Sequence, residues 1–126
     1  MQASITLAED IKQQNGMQLV NPFLHLTMKE LGQSISFRTA ILTSGLEFTN
    51  GLTLTLQIVK EDSGDVVYDV PEQNVPVSPT QSTDNFQITA NVLDLTIEEA
   101  GVYIVKVTCN GEVVEQPFSI STEMER

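Results

Sequence analysis

The chain has 126 residues, enough for one domain with its own core, and 40% of them are hydrophobic, too many for a disordered segment. Six Lys and Arg against 17 Asp and Glu leave a formal charge of −11, which repels a phosphate backbone and an anionic membrane surface, so neither nucleic acid nor membrane is expected as a partner. The single cysteine, Cys109, excludes an intrachain disulfide, and the absence of a basic, apolar leader or of a run of about 18 apolar residues points to a cytoplasmic protein.

Apolar residues recur with period two nearly throughout. Ala3, Ile5 and Leu7 alternate with Ser4 and Thr6, which predicts a first strand. Asn15-Gly16 interrupts the pattern before a second extended run from Met17 to about Thr27, where Pro22 marks an edge strand or a bulge. In the segment 34–41, Ile35, Phe37 and Ile41 share one face and Ser34, Ser36 and Arg38 the other. Leu52, Leu54, Leu56 and Ile58 give the cleanest alternation, and Glu61 to Asp65 form a polar hairpin turn into Val66–Val70.

From Pro71 to Asp84, three prolines among polar residues predict a loop, with a short irregular strand around Val75 and Val77. Phe86, Ile88, Ala90 and Val92 form a strand whose phase then shifts to Leu93, Leu95 and Ile97, a sign of a bulge near Val92. Ile97 to Ala100 could make one helical turn. Val102–Cys109 and Glu112–Ser121 flank Asn110-Gly111, two residues that tolerate the positive φ of a type I′ turn. Seven to nine short strands without a helical period predict an all-β antiparallel sandwich, one domain over 1–126 with a charged tail at 122–126.

The segment Leu95 to Val105 carries a more specific signal. Ala100-Gly101-Val102-Tyr103 resembles the tyrosine corner of immunoglobulin-like domains, and Asn110-Gly111 falls where that family turns from strand F to strand G. The resemblance implies that Tyr103 is buried, with its hydroxyl returned to backbone near residues 97–99, and that Gly101 serves the turn. Val105 stands where antibody domains have a half-cystine, and the chain has no Trp, so the likeness is to a disulfide-free version of the fold. Over the whole length, Glu9-Asp10, Gly101-Val102-Tyr103, Asn110-Gly111-Glu112 and Pro117-Phe118-Ser119-Ile120 resemble small stand-alone immunoglobulin-like proteins of bacteria and phages without assigned function. A phage origin would make a virion component possible.

Residues that could carry chemistry are few. His25, the sole histidine, would have to serve any Ser-His-Asp triad, yet no Gly-x-Ser-x-Gly elbow exposes a nucleophile. Cys109 lies on the core side of its strand by alternation with Tyr103, Val105 and Val107. Asp62 and Asp65, in the acidic group with Glu61 and Asp69, are only weak candidates for calcium ligands, without the EF-hand spacing. One His and one Cys cannot close a zinc site, so no cofactor or metal is expected.

The expectation is a non-enzymatic protein-interaction or structural module. Its partner is another protein or a second copy paired edge to edge; the alternative is a small-ligand, carbohydrate or calcium-binding sandwich. Leu46 and Phe48, in the connection from Gly45 to Gly51, and Tyr68 are the apolar residues singled out for an interaction loop.

Overall fold

The period-two pattern folds into nine strands in a computed structural model of the chain, which describes residues 2–12, 18–44, 52–75 and 86–123. The strands are β1 (Gln2–Lys12), β2 (Gln18–Phe23), β3 (His25–Met28), β4 (Ser34–Ser44), β5 (Leu52–Lys60), β6 (Val66–Val75), β7 (Phe86–Thr96), β8 (Gly101–Cys109) and β9 (Glu112–Thr122). They form a four-stranded sheet in the order β2-β1-β4-β7 and a five-stranded sheet in the order β3-β9-β8-β5-β6. The two sheets pack as a sandwich, and Cys109 forms no disulfide. Among the described residues, no helix is long and apolar enough to cross a membrane.

Alternation decides which side chains meet between the sheets. Leu52, Leu54, Leu56 and Ile58 of β5 and Tyr103, Val105, Val107 and Cys109 of β8 are all buried. Opposite them lie Ile5 and Leu7 of β1, Phe37 and Ile41 of β4, and Ile88 and Val92 of β7. Phe118 of β9 is the centre of an aromatic group. It stacks on Tyr103 (centroids 5.8 Å, planes at 25°) and meets Phe23 and Phe37 edge-on at 6.3 and 5.7 Å. Among the described residues every buried side-chain N and O atom has a partner; Thr39, for example, donates to the Ala90 carbonyl at 2.9 Å.

Where the strands bend, the sequence pattern and the structure differ. The second extended run is not one strand: it breaks at Leu24, 64% exposed, where the chain leaves the four-stranded sheet and enters the five-stranded one. Among the described residues all strand pairs are antiparallel except β3 with β9, which run parallel from His25↔Ser119 to Met28↔Thr122. Pro71 to Val75 belong to β6 rather than to a loop. A register shift opposite Thr55 accommodates Pro71, and on an edge strand its missing N–H costs no inner ladder bond. Val77 lies outside the described residues.

The bulge expected near Val92 is present, with β4 slipping register between Ile35 and Phe37 and Asp94 at φ 56. It keeps both Val92 and Leu95 inside and turns Leu93 out, 55% exposed, against the expectation that Leu93 would join the inner phase. Ile97 to Ala100 make no helical turn. Ile97 instead accepts from the Gly32 N–H at 2.7 Å and donates to the Gln33 carbonyl at 3.1 Å.

Candidate interaction surface

The corner between β7 and β8 is built around Tyr103. Tyr103 is 2% exposed, and its hydroxyl donates to the Glu99 carbonyl at 2.6 Å. Burial raises the phenol's pKa, so it stays a donor at neutral pH. Gly101 sits at φ 137, a conformation that side-chain-bearing residues rarely adopt. Asn110 (φ 48) and Gly111 (φ 87) make the β8–β9 turn, and the Asn110 side chain accepts from the Thr53 N–H at 2.7 Å, tying the turn to β5.

Lys60 is the unforeseen member of this corner. It continues the inward phase of Leu52–Ile58 and is only 9% exposed. Its ammonium donates to both carboxylate oxygens of Asp62 (2.9 and 2.8 Å) and lies 3.0 Å from a Glu99 oxygen. The hydrogen bonds to Asp62 and Glu99 raise the Lys60 pKa above its ordinary 10.5, and the bond to Lys60 holds Asp62 below 3.8. Asp62 is therefore committed to an internal cation. The Asp65 carbonyl accepts from the Lys60 N–H at 2.9 Å, closing the hairpin turn. Among the described residues no group of three or more His, Cys, Asp or Glu side chains converges as metal ligands would.

These shifts fix a pH profile. Asp62's contribution is present above about pH 3.8 and is lost as pH falls through its lowered folded value, whereas that of Lys60 holds below about pH 10.5 and is lost as pH rises. In urea unfolding, the wild type should exceed Lys60→Met in stability at about pH 7 and that gap should narrow at about pH 3. A gap of the same size at both pH values would show that the ion pairs do not act.

His25 is exposed on β3 with Nδ1 facing the Ser119 hydroxyl and Nε2 the Ser121 hydroxyl, the latter at 2.9 Å. Each ring nitrogen thus meets a serine hydroxyl, which can either donate or accept. The arrangement pins the short strand β3 to β9. The Ser119 N–H is already given to the Leu24 carbonyl and cannot serve an oxyanion. Cys109 is fully buried, and burial pushes its thiol pKa up, away from the reactive thiolate. Tyr68 is not in a loop. It lies half-buried on β6, packed on the core, and its hydroxyl accepts from the Leu93 N–H at 3.1 Å. Leu46 and Phe48 lie outside the described residues.

The sheet edges oppose strand addition. β2 carries Pro22 next to Asn21 at φ 51, and β6 carries Pro71 at its bulge. The β7 edge is broken by the Leu93–Asp94 bulge and covered at Leu93 by the Tyr68 hydroxyl. β3 covers β9 only from Ser119 onward. Because the Ser119 N–H points towards β3, alternation puts Pro117 on the same side, where it has no donor, and the Gln116 amide occupies its carbonyl at 2.8 Å. Interrupted ladders of this kind deter pairing with another chain. Beside this edge an open groove of about 650 Å³ is floored by Ile5, Phe23 and Leu24, and a cleft of about 380 Å³ lies between β6 and β7 over Leu54, Leu56 and Ile88.

The outer face of the five-stranded sheet is different. Strand register places Pro117, Ile104, Val59 and Val66 side by side in one row across β9, β8, β5 and β6. Val59 points outward yet is only 7% exposed, with Ile104 and Val66 as its cross-strand neighbours on either side. Val102 (37%) and Val66 (52%) remain open to solvent. The next row is polar: Glu115 pairs with Lys106 at 3.6 Å and Gln57 donates to Asp69 at 3.2 Å. At the strand spacing of about 4.8 Å, the apolar row is roughly 14 Å long. No family profile, no curated protein and no solved structure matches this chain.

Proposed function

We propose that the chain is a non-enzymatic interaction module with immunoglobulin-like topology, and that it engages a protein through the outer face of its five-stranded sheet. The observation that carries this reading is the apolar row from Pro117 through Ile104 and Val59 to Val66, with Val102 beside it. The edges, each interrupted, are poorer places to hold a partner.

The topology supports the immunoglobulin-like assignment. The neighbours β4·β7, β5·β8, β8·β9 and β5·β6 correspond to the B·E, C·F, F·G and C·C′ pairs of a variable-type domain. The buried Tyr103 bonded to Glu99 corresponds to its corner. Against the pattern, β1 is inserted between β2 and β4. The reading extends to a place among the small stand-alone immunoglobulin-like proteins of bacteria or phages, acting in the cytoplasm or, for a phage protein, in the virion.

The test is a photo-crosslinking amino acid at position 102, compared with one at Gln87 on the other sheet, in an extract of the native source. One stoichiometric adduct from position 102 and none from position 87 is the expected result. Equal labelling from both positions, or none from either, would reject the face as the contact surface.

A further inference from the structure

The rim of the face identifies the chemistry of what it holds. Around the apolar row stand Glu61, whose N–H donates to the Val102 carbonyl, Asp65 just before Val66, Asp69 beside Gln57, and Glu115. The only cation facing outward among them is Lys106, already paired with Glu115. Lys60 is turned inward and bound to Asp62 and Glu99, so it offers nothing to a visitor. Four carboxylates against one ammonium leave the border of the apolar row strongly negative. Apolar contact would remove water from the strip, and the carboxylates at its margin would then face the partner across a partly desolvated boundary. A second copy presents the same negative rim and is repelled.

On the strength of the proposed contact face, we infer that the partner is a basic polypeptide surface in which aliphatic side chains alternate with Arg or Lys. The aliphatic groups meet Val102, Ile104 and Val66, and the cations meet Glu61, Asp65 and Asp69. Arginine suits this rim, since its planar fork bonds carboxylates bidentately while its stem covers apolar surface.

The probes are two capped synthetic peptides, one alternating arginine with valine and the other glutamate with valine, titrated into isotopically labelled full-length protein and followed by NMR. The arginine peptide should perturb the amides of Val66, Val102, Ile104 and Lys106 and leave β1 and β4 unmoved. Its affinity should fall tenfold or more as salt rises from about 50 to about 500 mM, while the glutamate peptide causes no change. The variant Glu61→Lys with Asp69→Lys changes only exposed side chains and should reverse the preference between the two peptides.

Equal response to both peptides, perturbation centred on the other sheet, or no response to the arginine peptide would overturn the inference. Dimerisation through this face at high salt, seen in sedimentation and abolished by Val102→Lys, would overturn it in favour of a second copy. The two readings fail separately. A crosslinked partner at position 102 with no arginine-peptide binding removes the partner's chemistry and keeps the face, whereas loss of both removes the face.

Discussion

Replacing Phe118 with alanine is expected to cost the fold about 3–5 kcal/mol, the range for truncating a buried aromatic side chain. For a domain of this length that lowers the melting temperature by roughly 10–20 °C. The expectation rests on position. Phe118 is 2% exposed and touches three other rings, Phe23, Phe37 and Tyr103, which come from strands of both sheets. Its removal leaves a void that no single neighbour can fill, because each is held by its own strand. Val113→Ala, on the same strand but 59% exposed, is the control and should shift stability by no more than about 0.5 kcal/mol. A loss below about 1 kcal/mol for Phe118→Ala would mean that the aromatic group is not the centre of the core.

The second large effect belongs to Tyr103. Tyr103→Ala should cost about 3–5 kcal/mol for the lost ring, whereas Tyr103→Phe keeps the ring and should cost about 1–2 kcal/mol for the lost hydrogen bond. The difference between the two variants separates packing from the corner bond. Glu99 receives both the Tyr103 hydroxyl on its carbonyl and the Lys60 ammonium on its carboxylate. Tyr103→Phe and Lys60→Met should therefore be non-additive in a double-mutant cycle, because both act on one corner residue. Additive losses in calorimetry would show two independent contacts.

Much of the architecture was legible because alternation is a local property. The run Leu52, Leu54, Leu56, Ile58 reads directly as an inward face, and Asn110-Gly111 dictates its own turn. The corner was legible because Gly101 and Tyr103 each answer a local need, one for an unusual φ and one for a buried ring with a polar end. The change of sheet at Leu24 was not. It depends on β3 finding β9, whose paired residues lie 94 positions away, and no local pattern encodes a distant partner. The strand status of Pro71–Val75 was hidden because proline reads as a breaker unless the strand is known to lie on an edge.

The apolar outer face was partly visible. Val102 and Ile104 are both aliphatic at positions that alternation with Tyr103 and Val105 turns outward, but which strands would bring Val59, Val66 and Pro117 alongside depends on sheet order. Lys60 had a similar signal: its even number places it inward with Leu52–Ile58. What the sequence hid was its partners, since Asp62 belongs to the next turn and Glu99 to a corner 39 residues on.

The parallel pairing of β3 with β9 also bears on how the chain reaches its fold as it is made. On a ribosome, His25 emerges long before Ser119 and Ser121 exist to receive it, and β3 has no other ladder to join among the described strands. Closing so long a loop is slow and has no early reward. The nascent molecule must therefore hold Phe23, Phe37 and Tyr103 without their common neighbour until the last strand is released. Until β9 emerges, the rings it will cover stay open to aggregation.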